Sequence, residues 1–153
     1  MKKMMNKKGF TLIELMVVIA IIAILSGIII VVLSSARKKS QDSAIKQQLI
    51  HLRTQANLYL VTNGNYGTAG AVTTCSGGVF SDSKITPLFT AIPTTEACAH
   101  DGGQNFIVVA PLIGVTGKSW CVDGKNGSKL VTTDTANSGT ELAGASYDCS
   151  NLP

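Results

Sequence analysis

Residues 10–33 form a run of 24 residues in which only Thr11, Glu14, Ser26 and Gly27 depart from apolar character. As a helix this run spans about 36 Å at ~1.5 Å per residue, enough to cross a hydrocarbon core of about 30 Å. Many of its side chains are β-branched Ile and Val. Lipid or a neighbouring helix still forces it helical, because no water is present to satisfy the backbone. Four lysines, Lys2, Lys3, Lys7 and Lys8, precede the run, and Arg37, Lys38 and Lys39 follow it. The leading lysines place the N-terminus in the cytoplasm by the positive-inside bias, and the trailing cluster weakens the contrast.

Three readings compete for this run: a single-pass anchor, a secretory signal peptide with Ser34-Ser35-Ala36 as its cleavage site, and a processed leader followed by an assembly helix. A signal peptide has an apolar core of only about 7–15 residues, so the run is too long. Glu14 argues against both of the first two readings. A carboxylate deep in a membrane helix costs about 2.5–3.5 kcal/mol even on the lenient insertion scale, and a plain anchor has no use for one there.

The stretch Lys7-Lys8-Gly9-Phe10-Thr11-Leu12-Ile13-Glu14-Leu15 resembles the prepilin signature of type IV pilins and of the pseudopilins of type II secretion. It combines a short basic leader, a glycine at the cut, an aromatic residue after it, a glutamate four residues later and a long apolar tail. The likeness is strong over residues 7–33 and general in character to residue 66. It implies cleavage between Gly9 and Phe10 by a membrane prepilin peptidase and N-methylation of Phe10. It also implies an α+β fold, with one long N-terminal helix packed on a small antiparallel sheet. In such a filament the Glu14 carboxylate of one subunit meets the new Phe10 amine of its neighbour. In a low dielectric an unpaired partner is heavily penalised, so the pair sets axial register more than it adds stability. Many pilins carry a proline in the second half of this helix. Residues 28–33 have none, and Ser26-Gly27 is the one weak point, a small pair equally suited to close helix packing.

The resemblance and the pattern together divide the chain into a leader (residues 1–9), an assembly half of the helix (10–33), an amphipathic half (34–63) and a globular head (64–153). In the amphipathic half Ile45, Leu49, Leu52, Ala56 and Tyr59 recur at spacings of four and three, one apolar stripe for a sheet to lie on. No proline intervenes from Phe10 to Thr62, so the two halves read as one helix of about 80 Å, stopped by Asn63-Gly64. A break near residues 34–40 is the alternative. Glycines crowd residues 63–84. Pro87 interrupts a short helix or turn at residues 85–92. Residues 105–112 and 118–123 read as strands, the second with Trp120 and Val122 on one face and Cys121 on the other. Asp123-Gly124-Lys125-Asn126-Gly127 is a hairpin signal, with residues 128–133 returning as a third strand. The remainder reads as polar and irregular up to Cys149.

Cys75, Cys98, Cys121 and Cys149 all lie beyond the apolar run. An even number in a small exported head reads as two disulfides. Cys75 with Cys98 and Cys121 with Cys149 is the preferred arrangement, and two other pairings remain open.

Charge and motifs exclude most chemistry. Removing residues 1–9 leaves nine basic and nine acidic side chains, and the tight basic cluster that remains, Arg37-Lys38-Lys39 beside the apolar run, reads as a charged stop at the membrane edge rather than a nucleic-acid stripe. No hydrolase, P-loop, zinc-protease or dinucleotide signature occurs. His51 reads as a solvated or packed side chain, and His100 as part of a loop beside Cys98. The 123–127 segment lacks the ligands and the closing Glu of a calcium loop. The expectation is a structural subunit with no enzymatic role, no cofactor and no metal. It is anchored by lipid in the cytoplasmic membrane before assembly and extracellular afterwards. Its partners are further copies of itself, the prepilin peptidase and the pilus or secretion machinery. A pseudopilin of a secretion system is the alternative, and a non-assembling membrane-anchored module is a third. Adhesion, twitching motility and DNA uptake are uses the family implies.

Overall fold

The computed structural model describes residues 9–67, 75–92, 97–132 and 147–153. The leader residues 1–8 and the polar stretch 133–146 lie outside the described residues. The chain divides into two compact units, Met1–Arg37 and Lys38–Pro153.

One helix, α1, runs Leu12–Asn63 without interruption. It follows Thr11 and passes through Ser26 and Gly27, where a Cβ on Gly27 would meet nothing within 4 Å. It ends where the local chemistry dictates. Asn63 Nδ2 donates to the Tyr59 carbonyl at 3.0 Å, and the Gly64 N–H closes on the Leu60 carbonyl at 2.7 Å. Gly64 sits at φ 79°, the left-handed conformation in which glycine ends a helix without a Cβ penalty. A 3-10 turn follows at Gly78–Ser81 and a short helix, α2, at Thr86–Thr90. Pro87 lies in the first turn of α2, where its missing N–H costs nothing, so it starts this helix rather than interrupting it.

Four strands follow as an antiparallel meander: β1 Ala97–His100, β2 Phe106–Pro111, β3 Lys118–Asp123 and β4 Ser128–Thr132, paired in that order. The last three match the sequence expectation within a residue or two. β1 is an addition, and it moves His100 from a loop into a strand. Its Ala-Cys-Ala-His sequence has little intrinsic strand preference. Pairing with β2, which sets Cys98 opposite Val108 and His100 opposite Phe106, makes it a strand.

The sheet is covered on both faces. On one, Phe106, Val108, Ala110 and Val122 pack with the α1 stripe of Ile45, Leu49, Leu52 and Ala56. Leu49 and Leu52 are fully buried, each contributing about 2–3 kcal/mol by area. On the other, Ile107, Val109, Cys121 and Val131 pack with Cys149, Leu152 and the half-buried Tyr147 from the C-terminal residues. The C-terminal stretch, read from the sequence as polar and irregular up to Cys149, is therefore a packed layer where it is described. Its Pro153 carbonyl accepts from the Thr132 N–H at 3.1 Å, and the Leu152 carbonyl accepts from Lys129 Nζ at 2.9 Å. Two-sided cover explains why β2 reads as the continuous apolar run Phe-Ile-Val-Val-Ala, with no alternation.

Candidate assembly site

At the start of α1, Thr11 and Glu14 form a reciprocal cap. The Thr11 N–H and hydroxyl both donate to Glu14 Oε2, at 2.8 and 2.7 Å, and the Glu14 N–H donates to Thr11 Oγ1 at 3.3 Å. This is a capping box, a threonine followed three residues later by a glutamate. It satisfies otherwise orphaned helix donors and places the carboxylate at the positive end of the helix dipole. The acid in the apolar run is thus held by its own chain before any second subunit arrives. The sequence carries the signal for it, Thr11-Leu12-Ile13-Glu14 ahead of an apolar run.

Phe10 lies just before this cap and is 81% exposed. With Ile13, Glu14, Val17 and Val18 it lines an apolar groove along the helix. Beyond it, every described side chain from Thr11 to Leu33 is exposed. The segment is long and apolar enough to cross a membrane, with a mean hydropathy of 3.3 and no burial within the chain. Gly9 and Phe10, the residues of the expected cut, are both exposed and outside the helix.

Each turn of the head's meander is held by one aspartate. Asp101 closes the β1–β2 turn, its Oδ1 accepting from the Gly103 and Asn105 N–H groups at 2.7 and 3.1 Å and its Oδ2 from Asn105 Nδ2 at 2.6 Å. Asp42, on α1, holds the β2–β3 turn by accepting from the Ile113 and Gly114 N–H groups at 2.7 and 2.9 Å. Asp123 closes the β3–β4 hairpin, accepting from Lys125 and Gly127 N–H at 2.9 and 2.6 Å, and its Oδ2 takes the Cys149 N–H at 2.9 Å. The segment considered as a calcium loop is this hairpin, and both oxygens of its aspartate already face backbone donors. Among the described residues no group of three His, Cys, Asp or Glu side chains is placed to hold a metal. Asp42 was not anticipated. Its signal is position, since it stands three residues before Ile45 and continues the buried stripe as a polar residue, 7% exposed.

The disulfides join Cys75 to Cys98 and Cys121 to Cys149, with Cα separations of 5.0 and 5.9 Å. Cys98 belongs to the helix-side core and Cys121 to the opposite one, so each face of the sheet carries one bridge. His100 is 1% exposed, with its ring 5.5 Å from that of Phe80. Its Nδ1 accepts from the Gly102 N–H at 3.1 Å, while Nε2 is buried with no hydrogen-bond partner among the described residues, and the Gly77 backbone lies near the ring. Burial pushes its pKa down, against the opposing pull of the Gly77 backbone and of Asp101. Burial alone raises the Asp101 pKa, but its bonds from Asn105 and Gly103 outweigh it and hold the carboxyl below the ordinary value. His51 is exposed on α1.

The prokaryotic N-terminal methylation motif matches residues 4–30. The chain is 33% identical over 115 residues to the type IV wide pilus major component PilA4 of Thermus thermophilus. That alignment covers 73% of this chain and 88% of that protein. It is 31% identical over 63 residues to the type II secretion system core protein G of Dickeya chrysanthemi, 41% of each chain. The counterpart from Vibrio cholerae is 32% identical over 68 residues, 44% of this chain and 47% of that one. Against these secretion proteins the chain spans less than half their length. No solved structure matches it.

Proposed function

The chain belongs to the type IV pilin family, a filament subunit with a hydrophobic N-terminal helix, and from that premise we propose that it builds a surface pilus rather than a secretion pseudopilus. One observation carries the choice. The likeness to the wide-pilus component extends over 88% of that protein and so reaches well into the head, whereas the likeness to core protein G covers about four-tenths of the chain.

The mechanism follows from the N-terminus. The precursor lies in the cytoplasmic membrane through residues 10–33, with Lys2, Lys3, Lys7 and Lys8 on the cytoplasmic side. Prepilin peptidase cuts between Gly9 and Phe10 and methylates the new amine. Before the cut the Phe10 nitrogen is an uncharged amide, and among the described residues Glu14 accepts from its own Thr11. After the cut a cation stands one residue from Thr11, and the Glu14 oxygen not engaged by Thr11 is free to meet the amine of an adjacent subunit. The pairing selects the axial stagger, and the exposed Ile, Val and Leu side chains supply the burial. The chain works as a structural subunit, with Gly9, Phe10 and Glu14 as its processing and assembly residues and two disulfides stabilising the exported head.

The test is the intact mass and N-terminal sequence of protein recovered from sheared surface filaments. N-methylated Phe10 at the start of a filament-borne chain is the expected result. A chain beginning after Ala36, or an uncut chain confined to the membrane, overturns the reading.

A further inference from the structure

Just past the apolar run, α1 carries three consecutive cations, Arg37, Lys38 and Lys39, all exposed. None makes an ion pair among the described residues, where the pair present joins Lys125 to Asp148 at 3.6 Å. The adjacent acid, Asp42, directs its Oδ1 at the β2–β3 turn. That turn is held tightly against this part of the helix. A Cβ on Gly114 would lie 2.6 Å from Asp42 Oδ2 and 3.3 Å from Lys38 Cβ. The next residue, Val115, is 43% exposed. The head therefore presents, beside the first turn of its own helix, two lysines and an outward valine, with Arg37 preceding them on α1.

We propose that this patch seats in the headgroup layer of the leaflet on the head's side of the membrane and binds anionic phospholipid headgroups. The proposal rests on the membrane-anchored precursor and adds a lipid preference to it. Position argues for it first. Arg37 follows Leu33 by four residues, about 6 Å along a helix, and headgroup layers add about 5–8 Å to each side of the hydrocarbon core. Successive helix positions point about 100° apart, so long cationic side chains at three of them reach phosphates around the helix. Juxtamembrane cations are drawn to an anionic leaflet. An acidic protein surface would satisfy the charge. It would not account for cations placed one headgroup layer beyond a span, nor for Val115 beside them. The consequence is a hold on the precursor, because each subunit leaving the membrane gives up these contacts.

The experiment uses the full chain in vesicles whose head-side leaflet is phosphatidylcholine, alone or mixed with phosphatidylglycerol. Insertion is scored by resistance to alkaline carbonate, and the lipid shell by energy transfer from Trp120 to labelled phosphatidylglycerol. Wild type should insert and enrich the anionic lipid. R37Q/K38Q/K39Q should insert equally and lose the enrichment on the order of tenfold. K2Q/K3Q/K7Q/K8Q should retain it, because those lysines face the other leaflet. A label at Val115→Cys should be shielded from aqueous quencher in the anionic vesicles. Insertion without enrichment, or enrichment unchanged in R37Q/K38Q/K39Q, overturns the proposal and leaves the precursor intact as a membrane protein. A chain extracted by carbonate overturns both.

Discussion

The lower and upper halves of α1 share one unbroken backbone and obey different rules. Along residues 12–33 the described side chains are, apart from Glu14 and Ser26, apolar, and none is buried. Along residues 42–59 one stripe is sealed against the sheet, with Ile45 at 1% and Leu49, Leu52 and Ala56 at 0% exposure, while the opposite face is open. Both halves are helical for the same reason, local hydrogen bonding without proline. They differ in where the partner comes from. The upper half carries one apolar stripe, and the chain supplies the sheet that covers it. The lower half offers more apolar surface than its own chain covers, which fits the proposed partners, lipid and then other subunits. Helix continuity alone therefore says nothing about what a helix packs on; the angular width of its apolar surface does.

Substitutions in each half should act on different observables, and the largest effect belongs to the lower half. Glu14→Ala should leave insertion and cleavage intact and reduce sheared filaments to background by electron microscopy. Filaments in normal yield would remove the pairing with the Phe10 amine. In the upper half Leu49→Ala should destabilise the head by about 3–4 kcal/mol, read from urea denaturation of the detergent-solubilised protein by Trp120 fluorescence. Ile22→Ala, at an exposed position, should leave that midpoint unmoved, and an equal loss would erase the distinction between the two halves. Removing either disulfide as a Cys→Ala pair should cost about 3–4 kcal/mol by the closed-loop argument, with sequence separations of 23 and 28. Asp42→Ala leaves two turn N–H groups without their acceptor and should cost about 1–3 kcal/mol in the same assay.

The smallest effect is on pH dependence. His100 is held neutral in the folded head with its pKa lowered by burial, so the unfolded chain binds the extra proton first as pH falls. Its stabilising contribution is present above the unfolded value near 6.5 and is lost as pH drops below it. The denaturation midpoint should fall between about pH 7 and pH 5 in wild type and less steeply in His100→Gln. Identical slopes would assign the change to other groups. Asp101, with its pKa lowered, adds its own loss only below about pH 4.

Much of this was legible in the sequence where a pattern is local and repeated. The apolar run, the stripe from Ile45 to Tyr59, the Asn63-Gly64 stop, the second and third strands and the 123–127 hairpin all follow from spacing over a few residues. Harder to read were elements whose reason lies elsewhere in the chain. β1 is a strand because β2 offers it an edge. The C-terminal residues look polar until Leu152 and Cys149 are set on the second face of the sheet. Asp42 looks like a solvated helix residue until the turn at Ile113 and Gly114 comes to it. Thr11 was the exception, a local signal hidden by a more conspicuous neighbour.

By itself the sequence determined that residues 10–33 must be helical in an environment without water, that Glu14 needs a partner there, and that a small oxidised head follows. Periodicity and composition suffice for that, because such demands are met within a few residues of where they arise. Only the tertiary structure decided that the sheet has two cores, that three aspartates each hold one turn, and that His100 is sealed inside. Those outcomes depend on contacts between residues far apart in the chain, and no local pattern encodes which distant groups will meet.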